Sequence, residues 1–188
     1  MGNTRIEYDI VRSSRRTIGL EVRNGRLTVR APLKASAGSV ERVILDHAGW
    51  IERKLAENAR RLEEAGNCGR FTDEELRKAK ADAKRLLPER VSEHAAVMGV
   101  RYGKISVRTQ GSRWGSCSSK GNLSFNCLLM FMPREVADSV IIHELCHISE
   151  MNHSKRFYEL VHRYCPDYDR CDRWLKTEGK ILMMRAGK

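Results

Sequence analysis

The chain has 188 residues, 41% apolar and 31% charged, enough for one core with or without a smaller lobe and too apolar for disorder. Lys and Arg exceed Asp and Glu by 35 − 24 = +11, a field that attracts polyanions and acidic surfaces, but the basic residues are spread along the chain. No run of about 18 apolar residues occurs, which excludes a membrane-spanning helix.

The start, MGNTRIEYD, has no basic-then-apolar signal pattern, and Ile6 stands where a myristoylation motif needs Ser or Thr. A cytoplasmic location is expected. Cys68, Cys117, Cys127, Cys146, Cys165 and Cys171 form no C-x-x-C pair, so they read as reduced, mostly buried apolar residues.

In chain order, RIEYDIVR alternates with Ile6, Tyr8 and Ile10 on one face and reads as a strand. TIGLEVR and LTVRAP flank Asn24-Gly25, a strong hairpin signal. A helix is expected over 39–66, with Ser39 as N-cap and Val40, Val43, Ile44, Ala48, Ile51 and Leu55 at helical spacing. Gly66 and Gly69 mark a seam, which divides the chain into a strand-and-helix lobe, 1–68, and a second part, 69–188, unless the two form one continuous domain. Thr72 and Glu75 form a capping-box pattern opening a second helix, which Pro88 is expected to kink or split. KISVRTQ then reads as a strand, and RWGSCSSKGNLSFNCLLMFM as a hairpin turning at 119–122. Pro133 suits the first turn of a helix through REVADSVIIHELCHISE, and a last helix covers SKRFYELVHRYC and stops at Pro166. The expected class is α+β.

The chemistry concentrates in His143-Glu144-Leu145-Cys146-His147. Residues four apart lie one above the other on a helix, so both imidazoles can reach one ion about 2 Å away. Glu144 projects beside that ion, where it can take a proton from water whose pKa zinc lowers towards about 7. At ordinary His and Glu usage, the pattern arises by accident in roughly one chain of this length in two hundred. Its helical setting and the flanking Ile141, Ile142, Leu145 and Ile148 strengthen it.

His153 is the best third ligand, six residues after His147 as in H-E-x-x-H-x-x-G-x-x-H. Glu150 occupies the glycine position, so Asn152 is expected to make the turn, with Ser154 capping the next helix. Glu150, Glu159 and Glu178 are the alternative third ligands. His47, His94 and His162 read as surface or packed histidines, Cys146 as a core residue, and Phe157, Leu160, Val161 and Tyr164 as a core stripe. In RWGSCSSKGNLSFN, the residues Arg113, Trp114, Ser116 and Asn126 are candidates for holding an extended peptide along an edge strand, the alternative being a merely polar hairpin tip. Arg113, Tyr158 and His162 are candidate donors to a developing oxyanion.

The stretch from Thr109 to Val161, with R-W-G-S-C, N-x-x-x-N and H-E-L-x-H followed by N-H-S, resembles the YgjP-like family of predicted zinc metallopeptidases, and more distantly the SprT-like proteases. RRTIGLEVRNGRLTVRAP and GWIERK extend the resemblance over most of the chain. It implies a minimal zincin-like core with an N-terminal β-hairpin and helix lobe, Zn²⁺ on His143, His147 and His153, catalysis by Glu144, and a peptide or protein substrate. The SprT-like proteases act on DNA-bound proteins, so a DNA-stimulated protease is one alternative; a non-catalytic module binding zinc and nucleic acid is another.

Overall fold

In a computed structural model, residues 6–23 and 25–187 are described; Arg5 at the head of the first strand and Asn24 of the hairpin lie outside them. The chain divides into two compact units, Met1–Asn67 and Cys68–Lys188. No helix among the described residues is long and apolar enough to cross a membrane.

The first unit holds strands β1 (Tyr8–Ser13), β2 (Gly19–Arg23) and β3 (Arg26–Pro32), followed by helices α1 (Ala37–Asp46) and α2 (Ala48–Asn67). The order is β1-β3-β2; β3 pairs antiparallel with β2 through the expected hairpin and parallel with β1. Gly25 takes φ 74°, which the turn needs and glycine adopts without strain. Leu27, Val29 and Ala31 alternate inward along β3 and bury against Val40, Ile44 and Ile51 of the helices.

The single helix expected over 39–66 is two helices. His47 Nδ1–H donates to the Val43 carbonyl, and the His47 backbone N–H goes instead to Ile44 O at 3.2 Å. A side chain that takes the carbonyl of the residue four back diverts the helical ladder, and the helix restarts at Ala48. The cap is Ser36, whose Oγ accepts from Ser39 N at 3.1 Å; Ser39, the expected cap, lies inside the first turn.

The second unit comprises α3 (Asp73–Met98), β4 (Ile105–Arg108), β5 (Gly115–Cys117), β6 (Leu123–Asn126), a 3₁₀ helix over Cys127–Phe131, and then α4 (Arg134–Ser149), α5 (Lys155–Tyr164), α6 (Tyr168–Lys176) and α7 (Glu178–Arg185). The Thr72–Glu75 capping box is formed. Pro88 does not split α3: it lies on the solvent side, where water can satisfy the carbonyl it leaves without a donor. CLLMF is a 3₁₀ helix rather than a strand. Asn126 Oδ1 accepts from Leu128 N at 3.2 Å and starts the turn, and three consecutive residues, Cys127 to Leu129, are buried, which a strand with one apolar face does not allow.

Strand β6 is central, parallel to β4 and antiparallel to β5, which leaves β5 as an edge strand beside α4. Ala83, Leu87, Val91 and Ala95 step along one face of α3 and pack with Phe125, Leu129, Ile141, Leu145, Phe157 and Val161. Each large side chain so buried contributes roughly 1.5–3 kcal/mol. Helix α4 is apolar on nearly every side, which is why it runs through the core and carries its polar residues with it.

Candidate metal centre

Helix α4 carries His143, Glu144 and His147 into the core of the second unit, with His143 half-buried and the other two buried. After Ser149 the chain leaves the helix at Glu150 and turns, Ser154 N donating to Asn152 O at 2.8 Å around His153 as in a γ-turn. Ser154 then caps α5, its Oγ accepting from Phe157 N at 3.2 Å. This turn brings His153 to the two helical histidines: the ligating atoms of all three lie within 4.8 Å of one another, and the Nε2 atoms of His143 and His153 are 3.1 Å apart. Bonds of about 2.0–2.1 Å in a tetrahedral zinc site put ligand nitrogens little farther apart than that.

The ring orientations agree with ligation. His147 Nδ1 lies 3.1 Å from Glu150 O. A carbonyl only accepts, so Nδ1 carries the proton and Nε2 keeps its lone pair for an ion. His143 Nδ1 is 2.8 Å from the Tyr168 hydroxyl, which leaves its Nε2 facing His153. Phe157 packs beneath all three rings, with centroids 4.9, 4.5 and 4.8 Å from those of His143, His147 and His153. Burial first, then the neighbouring His147 and His153, lowers the His143 pKa to about 4; burial lowers that of His147 as well. Both imidazoles are therefore held neutral, as metal ligands must be.

The alternative carboxylates stay outside the cluster. Glu150 pairs with Arg156 at 2.9 Å, Glu159 reaches Lys155 at 3.7 Å, and Glu178 sits in the first turn of α7. Among the described residues no carboxylate or thiolate joins the three histidines.

Glu144 is 6% exposed, and its burial raises the carboxyl pKa to about 7 against the downward pull of the Arg113 charge. It lies hard against β5, with Gly115 beside its side chain. Arg113 is exposed, Trp114 is half-buried with its ring on Gly179, and Ser116 is half-buried opposite Ser124. Asn126 is only 1% exposed; its Nδ2 donates to Gln110 O at 2.7 Å and Arg113 O at 3.1 Å, so it shapes the 110–113 loop rather than offering an atom to a ligand. Tyr158 stands at the rim, exposed, its ring 6.1 Å from His153, and His162 lies 3.6 Å from Asp169.

Sequence reasoning missed Tyr168, Gly115 and Gly179. Tyr168 lies beyond Pro166, where the last helix was expected to end; Tyr168, Cys171 and Leu175, at i, i+3 and i+7, carry the helical signal of α6.

The model of the YgjP-like metallopeptidase domain matches residues 72–178, more than half of the chain, including the three histidines, Glu144 and Tyr168. The chain belongs to the YgjP-like family. This YgjP-like protein is thus a metal-dependent peptidase, with peptides or proteins as its substrates. No curated protein matches it. Among solved structures it is similar to the metallopeptidase zymogen abylysin of Pyrococcus abyssi, at 19% identity and a TM-score of 0.44, over 48% of this chain and 93% of that one. It is also similar to the metallopeptidase zymogen jannalysin of Methanocaldococcus jannaschii, at 20% identity and a TM-score of 0.42, over 47% of this chain and 92% of that one.

Proposed function

We propose that this chain is a zinc peptidase in which His143, His147 and His153 hold the ion and Glu144 is the general base. One observation carries the reading: three imidazoles converge on one point, and a buried carboxyl shares a cavity wall with the first of them. Three nitrogen donors with no fourth protein ligand among the described residues fit a catalytic zinc better than a structural one, which closes with four. When bound, zinc supplies a Lewis acid that acidifies water and polarises a carbonyl.

The residues of the chain do the rest. Glu144 accepts the proton of the attacking water on a carboxyl oxygen and passes it to the leaving amine. Its buried setting, which favours the protonated form, suits a group that must hold that proton between the two steps. Tyr168 and Glu150 O orient the histidines. The open edge of β5 pairs with an extended substrate, with Arg113, Trp114 and Ser116 as its side-chain contacts and Asn126 acting through the loop it holds. Residues 69–188 then form the catalytic domain, and 1–68 a separate lobe.

Metal analysis of the purified chain tests the ion: about one equivalent of zinc is expected, and less than half an equivalent counts against the site. Glu144→Gln should keep the zinc and lose roughly 10²–10⁴-fold in turnover. Undiminished turnover of that variant sinks the mechanism.

A further inference from the structure

A cavity of about 330 Å³ opens in the second unit, and His143 and Glu144 form part of its wall. Its other walls come from the strand side, through Trp114, and from α6 and α7, through Leu175, Lys180 and Met183, with Val140 of α4 behind. Resting on the function proposed above, we infer that this cavity is a specificity subsite for a large apolar side chain, Leu, Met or Phe, on a residue flanking the scissile bond.

Position comes first. Whatever enters the cavity lies against Glu144 and His143, so it belongs to a residue next to the bond under attack. Chemistry decides the kind of side chain. Several polar groups at the cavity are already engaged: the Tyr168 hydroxyl with His143, the Ser139 hydroxyl with the Val136 carbonyl, and Asp172 with Lys176 one turn along α6. A charged guest would give up water there and find Asp172 and Lys176 already paired with each other, which costs free energy. An apolar guest meets Trp114, Val140, Leu175 and Met183 and gains their contact.

The wall is also built to hold its shape. Gly179 is buried under Trp114, and a Cβ there would come within 2.9 Å of the Trp114 Cζ2 atom. A glycine at this point of α7 leaves the indole room to pack against the helix as part of the cavity wall.

Affinity for short alanine-based peptides, each carrying a single Leu, Phe, Lys or Glu, tests the subsite in the zinc-loaded Glu144→Gln chain by calorimetric titration. The Leu and Phe peptides should bind at least about tenfold more tightly than the all-alanine peptide, the usual return from filling a hydrophobic pocket, while Lys and Glu peptides should not. Met183→Trp fills the cavity and should erase that preference; Met183→Ala enlarges it and should shift the preference from Leu towards Phe. Equal binding of the Leu and alanine peptides overturns the inference, as does a preference unchanged in both Met183 variants. Cleavage by Glu144→Gln at the wild-type rate would instead remove the general base, while the affinity ratios would still decide the subsite.

Discussion

Gly115 and Glu144 touch so closely that no other residue fits at position 115 without moving the carboxyl. A Cβ on Gly115 would stand 2.6 Å from Glu144 Cγ and 2.7 Å from Oε1, and real Cβ atoms do not approach that near. The glycine of R-W-G-S-C is thus the space into which the Glu144 side chain is fitted.

Gly115→Ala should therefore displace Glu144 while leaving the histidines in place. A shift of about 1 Å at a reacting group costs on the order of 10²-fold in rate. The expected outcome is a fall of that size in kcat with zinc content unchanged, read by peptide hydrolysis and metal analysis of the same preparation. Wild-type kcat in this variant would show that the carboxyl has room to spare.

Tyr168→Phe removes the hydrogen bond that orients His143 and nothing else of comparable size. Loss of such an outer partner typically weakens metal binding by about 10–100-fold. Competition against a chromophoric chelator measures it. An unchanged zinc affinity would leave Tyr168 a packing residue only.

Phe157 is fully buried beneath the three imidazoles. Phe157→Ala should cost about 3–5 kcal/mol of stability in urea titrations. Phe157→Leu retains most of the volume and loses the ring contacts, each worth about 0.5–1.5 kcal/mol. It should fold, with a looser histidine cluster and weaker zinc binding. Equal zinc affinity in Phe157→Leu and wild type would contradict a role for the ring in setting the cluster.

The buried carboxyl also gives the metal-free chain a pH signature. The folded pKa of Glu144, about 7, lies above its ordinary 4.5, so its contribution to stability is fully present below pH 4.5 and is lost as pH rises to about 7. The shift corresponds to roughly 3 kcal/mol across that window. His143 acts in the opposite sense: its pKa falls from 6.5 to about 4, so stability is lost as pH drops through that range. Comparing wild type with Glu144→Gln cancels the histidines. The variant should gain on wild type between pH 4.5 and 7 in urea titrations of the metal-free proteins, and a constant difference would mean that the carboxyl is not desolvated.

Local signals were legible where one short pattern sufficed. The β2–β3 hairpin, the Thr72 capping box and the four-residue spacing of His143 and His147 each depend on neighbours in the chain. The convergence of His153 was legible from its spacing, from Asn152 as the turn residue and from Ser154 as the cap of α5; the sequence did not show that the turn closes on the Asn152 carbonyl. What escaped depends on contacts distant in sequence. Tyr168 meets His143 across 25 residues, and the closeness of Gly179 to Trp114 exists only once α7 has packed. The break at His47 escaped for a different reason: whether a histidine ring takes a backbone carbonyl is a rotamer choice that periodicity does not encode.

The orienting hydroxyl sits on α6, after Pro166, while every imidazole lies before it. A fragment ending at Pro166 would keep His143, Glu144, His147 and His153, but would have neither the Tyr168 hydroxyl that meets His143 nor the cavity wall that α6 and α7 supply. The histidine motif and the groups that surround it are therefore supplied by different segments of the chain, and the closing helices belong to the site as much as the residues by which such proteins are recognised.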